Sequence, residues 1–175
     1  MALDQRISQR VRLQQNGSPA WKLAVFFAHS GDSWFWMAGL AMTWLITRGP
    51  WHKNAMLLAI GVAILAVLVI AIKFSIRRER PEGEWGAIYR NTDPHSFPSG
   101  HAARAAMLAV MALGLGSTWF GWAVFIWAPL VSLARVSTGV HYLTDILAGL
   151  IFGAAAGFGV LALAPLLLGW FPFLF

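Results

Sequence analysis

Two histidines, one aspartate and three cations carry the chemistry that this sequence offers. His141 and Asp145 stand four residues apart, a spacing that places both on one face of a helix. A carboxylate bonded to one imidazole nitrogen fixes the tautomer and leaves the other nitrogen free to attack. His101 closes the run Pro98-Ser99-Gly100-His101, which reads as a helix start with Ser99 as its N-cap. Free backbone N–H groups at such a start bind anions, and would also stabilise charge developing on a reacting phosphorus. His101 itself is placed to protonate a leaving alkoxide. Lys73, Arg80 and Arg135 complete the set, the arginines with a planar fork that matches phosphate oxygens in pairs. A nucleophile, an orienting acid, a proton donor and an anion cradle are the parts of phosphoryl transfer without a metal.

These residues span 73 to 145, so a scaffold must gather them, and the composition says which. The 175-residue chain is 58% hydrophobic and 11% charged, against about 25% charged in a soluble domain. Lipid is the solvent that such an apolar surface requires. The ten tryptophans suit the membrane–water boundary. The net charge of +6 is held in the N-terminal tail and one central loop rather than a solvated stripe. That placement fits an anionic membrane surface and an anionic substrate, and argues against a nucleic-acid partner. With no cysteine, disulfides, thiol chemistry and Cys-ligated metals are excluded.

The fold expected is all-α: one domain over 1–175, with about five transmembrane helices after an interfacial N-terminal segment, 1–32. In residues 2–15, Leu3, Ile7 and Val11 recur at helical spacing while Arg6, Arg10 and Arg12 take other faces. That is a basic amphipathic helix for the membrane surface, with a disordered tail as the alternative. A cleaved signal peptide is not expected, because no apolar core follows the charges directly. Asn16-Gly17-Ser18-Pro19 breaks the chain. A short interfacial helix at 21–29 and a first span at about 33–48 are separated by His29-Ser30-Gly31-Asp32, since Asp32 in mid-bilayer would be costly. Further spans are expected from Lys53 to Ile72, from Ser99 or Gly100 to Gly116, over 118–135, and over 141–168 after a turn at Gly139. The bundle thus covers 33–168, with 73–98 as the active-site loop. In the last span Gly149, Gly153, Ala154–Ala156, Gly157 and Gly159 form a small-residue face for close helix approach. Alternating span direction brings Lys73, Arg80, Ser99–His101, Arg135, His141 and Asp145 to one membrane face.

The spacing of these residues resembles the type-2 phosphatidic acid phosphatase family, whose fold is shared with vanadium haloperoxidases. Lys73 is followed by six residues and Arg80-Pro81, Pro98-Ser99-Gly100-His101 is complete, and Arg135, His141 and Asp145 keep the family's third spacing. The resemblance implies that Lys73, Arg80, Ser99, Gly100 and Arg135 bind phosphate. It implies that His141 becomes a phosphohistidine, that Asp145 orients it, and that His101 acts as acid and then activates water. No cofactor and no metal are implied. The family's serine before the arginine is Ala134 here, which removes one hydroxyl contact to phosphate. Many members have six spans, so one N-terminal span would be missing.

Other residues have two readings. Arg104 shares a helical face with His101 and is a candidate contact to a second phosphate, or else an internal ion-pair partner of Asp32 or Glu79. His95 and Tyr89 are candidate head-group contacts, or ordinary loop hydrogen bonders. Asp32 is expected to cap the first span. Glu79, Glu82 and Glu84 read as a solvated acidic loop rather than a cation site, and His95, His101 and His141 fit no common ligand spacing.

The function expected is hydrolysis of a lipid phosphate or diphosphate in a prokaryote-type plasma membrane, with a lipid phosphate and membrane lipids as partners. Undecaprenyl diphosphate is the first choice of substrate, and phosphatidylglycerophosphate or phosphatidic acid the alternatives. The other classes are a non-catalytic lipid-binding or transport protein, which the intact His141–Asp145 pair and His101 speak against, and vanadate-dependent oxidation, which the spans speak against. Positive-inside counting, with Arg6, Arg10, Arg12, Lys22, Arg77, Arg78 and Arg90 against Arg48 and Lys53, puts the site in the cytoplasm. Relatives that recycle undecaprenyl diphosphate work on the outer face, and the two indications disagree.

Overall fold

A computed structural model describes residues 2–82, 93–116 and 118–175. Tyr89, Glu84 and Arg90 lie outside the described residues. Among those described, the chain forms seven α-helices and no strand: α1 (Ala2–Val11), α2 (Pro19–Ser30), α3 (Ser33–Ile46), α4 (Pro50–Ile76), α5 (Gly100–Gly114), α6 (Thr118–Ser137) and α7 (Leu143–Trp170), followed by a 3₁₀ turn at Pro172–Leu174. The all-α expectation holds.

Among the described residues, three helices are long and apolar enough to cross a bilayer: α4 with 27 residues, α6 with 20 and α7 with 28. At 1.5 Å per residue even α6 reaches about 30 Å, the thickness of the hydrocarbon core. Of the other two expected spans, α3 has 14 residues and α5 has 15, each about 22 Å. α4 begins earlier than the charge pattern suggested, because Pro50 fits the first helical turn after Gly49 at φ 69°. It also ends later. Lys73 lies within its last turns rather than in the loop, because its ammonium is neutralised inside the protein and needs no water.

α5 is the centre of the bundle. It packs between α7 and α6, with α4 on a further side, and is buried along nearly all of Ala102–Ala112. Lipid tails are as apolar as leucine, so what joins these helices is close packing rather than expulsion of water. The glycines of α7 supply it. A Cβ on Gly149 would come 2.6 Å from the Ser99 carbonyl oxygen, one on Gly153 1.9 Å from that of Ala103, and one on Gly157 3.1 Å from that of Met107. Gly159 meets nothing within 4 Å and is not part of this face.

α1 docks by its polar side. Asp4 accepts from the Thr144 amide, Ser8 Oγ accepts from the Leu143 amide (2.9 Å), and the Leu13 amide donates to the Ser137 carbonyl (2.9 Å). The apolar stripe points outward, with Leu3 71% exposed and Ile7 and Val11 also exposed. Exposed tryptophans mark both ends of the bundle, Trp34 at the start of α3 and Trp51, Trp119, Trp122 and Trp170 at the opposite end.

Candidate active site

The end of α4, the start of α5 and the turn that joins α6 to α7 meet around one cavity. Its volume is about 340 Å³, and Lys73, Gly100, His101, Arg104, His141 and Asp93 line it together with Val62, Leu65, Ala66, Val69 and Ile70. One wall is therefore a strip of α4 apolar side chains, and the far end is charged. A second cavity of about 330 Å³ lies under α1, lined by Arg12, Arg80, Tyr142 and, from its other side, His141.

Arg80 ties the cradle to His141. Its Nη1 donates to the Val140 carbonyl (3.0 Å) and to His141 Nε2 (3.3 Å). Because a guanidinium only donates, Nε2 carries the lone pair and Nδ1 the proton. Nε2 is thus the nitrogen facing the cations. Lys73 is buried and donates to the His95 carbonyl (2.6 Å) and to both oxygens of Asp93 (2.9 and 2.7 Å). Arg80 Nη2 reaches the same Asp93 oxygen at 2.8 Å. One carboxylate oxygen of Asp93 thus sits between a lysine and an arginine. Arg135 is 1% exposed and is close enough for its charge to act on Lys73, His101 and His141.

Ser99 caps α5 as expected: its Oγ accepts from the Ala102 amide (3.4 Å), while its own amide donates to the Asp145 carbonyl (3.0 Å). A Cβ on Gly100 would make only ordinary contact with Val69, at 3.5 Å, so no protein atom demands the glycine. The cavity lies on its open side.

Several expected contacts differ. His141 is not on the last helix. α7 begins at Leu143 with Tyr142 as N-cap, and His141 sits in the turn after Gly139, which takes φ 73°. Asp145 is buried beside it, but His141 Nδ1 to Asp145 Oδ2 is 3.5 Å, beyond a well-formed hydrogen bond. That oxygen is occupied by the Tyr142 amide at 2.9 Å, the reach-back bond of a helix N-terminus. Its other oxygen accepts from Arg78 Nη1 at 2.7 Å. Arg78 also donates to Thr144 Oγ1 (2.6 Å) and Asp4 Oδ2 (2.6 Å), and stacks on Tyr142 with its carbon 4.2 Å from the ring centre. The cation joining Asp145 to α1 was not singled out from the sequence, where Arg77 and Arg78 are indistinguishable. Burial raises the Asp4 carboxyl, but hydrogen bonds from Thr144 and Arg78 outweigh it and hold the carboxyl below its ordinary range.

His95 presents its backbone, not its ring, to the site. Its carbonyl holds Lys73 and its ring packs edge-on against Phe74 at 5.3 Å. Arg104 reaches the cavity; its Nη1 donates to the Gly31 carbonyl, and the Asp32 carboxylate is near enough for its charge to act on the guanidinium without a direct hydrogen bond. Asp32 occupies the N-cap position of α3 without making a side-chain cap bond. It bonds instead to His101 Nε2 at 2.7 Å. Burial pushes the Asp32 carboxyl upward, yet the bond and charge of His101, then those of His29, win and hold it at about 2.

The sequence profile of the PAP2 superfamily matches residues 54–167, which include every residue of the cradle. The chain belongs to the PAP2 superfamily. The resemblance read from its three motifs is borne out, and it is an integral membrane protein by its long apolar helices and its family. Among curated PAP2 relatives, it is 32% identical over 127 residues to a lipid A 1-phosphatase of Porphyromonas gingivalis, covering 69% of this chain and 27% of that one. It is 31% identical to an undecaprenyl-diphosphatase of Sulfolobus acidocaldarius (78% and 66%) and 28% identical to a decaprenylphosphoryl-5-phosphoribose phosphatase of Mycobacterium tuberculosis (74% and 72%). The chain thus spans about a quarter and just under two thirds of the first two. In fold it is similar to a PAP2-type phosphatidylglycerolphosphate phosphatase of Bacillus subtilis (TM-score 0.75, 24% identity, 94% of this chain and 85% of that one) and to Aquifex aeolicus LpxE (0.72, 23%, 93% and 96%).

Proposed function

We propose that this PAP2 protein hydrolyses a lipid phosphate through a phosphohistidine on His141, without a metal. The observation that carries the reading is the cavity in which the apolar strip of α4 runs into Lys73, His101 and His141. A lipid tail lies along Val62, Leu65 and Val69 and delivers its phosphate to the charged end. There the phosphate takes the place of the Asp93 carboxylate between Lys73 and Arg80, with Arg135 and the α5 N-terminus on its other oxygens. His141 Nε2 attacks, the bond from phosphorus to the lipid oxygen breaks, and His101 gives that oxygen a proton. Water, deprotonated by His101, then attacks phosphorus, the P–N bond breaks, and phosphate leaves. Asp145 supports His141 through charge and through the turn it ties down. Four cations around the cavity would repel a divalent ion and serve its electrostatic purpose.

For the substrate we favour a polyprenyl diphosphate such as undecaprenyl diphosphate, with Arg104 at the second phosphate. Two of the relatives are named for polyprenyl substrates. In this reading α3 and α5 complete five spans, and α1 rests its exposed Leu3–Ile7–Val11 stripe on the surface of a prokaryote-type plasma membrane. The test is phosphate release from a panel of undecaprenyl diphosphate, phosphatidylglycerophosphate and phosphatidic acid in chelator. Wild type should turn over the diphosphate fastest and His141→Ala none of them. Activity that requires added Mg²⁺, or that survives His141→Ala, contradicts the mechanism.

A further inference from the structure

We propose that Asp32 is the positioning residue for His101, so that each histidine facing the phosphate has its own carboxylate. The proposal rests on the reading above that His101 is the proton donor.

Asp32 lies 69 residues from His101, in the junction between α2 and α3, outside the residues that carry the motifs. Its Oδ1 is 2.7 Å from His101 Nε2 and its Oδ2 is 3.3 Å from His29 Nδ1. The N-cap role that would otherwise explain an aspartate here is missing. The junction is pinned in place from three sides. Trp36 Nε1 donates to the Ser30 carbonyl (3.0 Å), Trp127 Nε1 to Ser30 Oγ (2.9 Å), and Arg104 to the Gly31 carbonyl. Gly31 leaves room for the imidazole: a Cβ would come 3.0 Å from His101 Cδ2 and 2.9 Å from Val131 Cγ1, and would press on both. A segment held this firmly, with its carboxylate on a ring nitrogen, fixes both the orientation and the tautomer of that ring.

The consequence is chemical. Asp32 accepts the Nε2 proton, so Nδ1 is the nitrogen that serves the phosphate. In the first step the Nδ1 proton passes to the leaving lipid oxygen, and His101 is left neutral with Nε2–H still on Asp32. In the second, Nδ1 takes a proton from the attacking water. The Asp32 carboxylate stabilises the imidazolium before the first step and after the second.

The experiment uses the full chain in detergent micelles with dioctanoyl phosphatidic acid, comparing wild type, Asp32→Asn, His101→Gln and the double variant. Asp32→Asn should lower kcat about 10- to 100-fold with KM changed less than about threefold. In the His101→Gln background it should cost nothing more, because a residue that acts only through His101 cannot act without it. Multiplicative losses in the double variant, or wild-type kcat in Asp32→Asn, overturn the proposal. Rapid quenching adds a readout that a scaffolding role would not move. Phosphoenzyme formation by Asp32→Asn should be slow from the lipid phosphate and near wild type from p-nitrophenyl phosphate, whose leaving group needs no proton. Equal slowing from both is the contrary result. If Asp32→Asn does not fold, Gly31→Ala, which pushes the ring directly, takes its place with the same expectations. Wild-type activity in His101→Gln or His141→Ala sinks the phosphatase mechanism itself, a failure separate from that of Asp32.

Discussion

Replacing Asp93 by asparagine should tighten phosphate binding, an unusual direction for a change beside a catalytic cavity. Asp93 holds Lys73 Nζ at 2.7 Å and Arg80 Nη2 at 2.8 Å through one oxygen, and takes a further 2.9 Å bond from Lys73 on the other. Any phosphate entering the cradle must first displace these bonds. A hydrogen bond to a charged group contributes about 1.5–3 kcal/mol net. The Asp93 side chain is 43% exposed, and solvent screening reduces that toward 1–2 kcal/mol for the whole contact. Asparagine keeps the shape and loses the charge. The inhibition constant for inorganic phosphate and the KM for a lipid phosphate should therefore fall by roughly 5- to 30-fold, at about 1.4 kcal/mol per factor of ten. kcat should stay within about twofold. The assay is steady-state phosphate release in micelles at low and high salt, with the gain shrinking at high salt. An unchanged or raised KM would show that the carboxylate does not compete with substrate, and the placement of phosphate between Lys73 and Arg80 would be wrong.

Other consequences follow from the same geometry. Gly153→Ala sets a methyl 1.9 Å from the Ala103 carbonyl oxygen, so α5 and α7 must separate. It should lower the thermal midpoint, whereas Gly159→Ala, in open space, should leave it unchanged within a degree or two. Gly149→Ala presses on Ser99 itself, at 2.6 Å, and should reduce kcat more than stability. Arg78→Gln leaves buried Asp145 and Asp4 without their shared cation. It should cost about 1–3 kcal/mol of stability and expose the 12–18 segment to protease as α1 loosens; wild-type resistance would speak against that link. The Asp32 carboxyl is depressed from 3.8 to about 2 in the folded state. Its contribution to stability is therefore complete above about pH 4 and lost as pH falls toward 2. The gap in thermal midpoint between wild type and Asp32→Asn should be wide at pH 6 and narrow at pH 2.5.

The parts of this protein that were legible in its sequence are those set by local pattern. Apolar runs announced the helices, Ser99 its cap, Gly139 its turn, and Gly149, Gly153 and Gly157 the close face of α7. What could not be read are partnerships between distant residues. By its charge, Lys73 reads as the end of a span. The Asp93 carboxylate, 20 residues on, and the His95 carbonyl let it stay on the helix. Asp32 looked like a cap because it precedes a helix, and nothing local says that a histidine 69 residues later claims its oxygen. Arg78 looked like one of several loop arginines, and its bond to Asp4 crosses 74 residues. Even the His141–Asp145 pair misled in detail: the spacing of four was real, but the helix starts between them, and Asp145 spends its near oxygen on the Tyr142 amide.

The most direct test of the account is to trap the covalent intermediate. His101→Ala should phosphorylate from p-nitrophenyl phosphate, whose leaving group needs no proton, but hydrolyse the adduct slowly, so that rapid quenching with the ³²P-labelled ester leaves label on the protein. The adduct should be acid-labile and base-stable, map by peptide sequencing to His141 and be absent from the His101→Ala/His141→Ala variant. Label on any other residue, or turnover without a trapped adduct under these conditions, would contradict it.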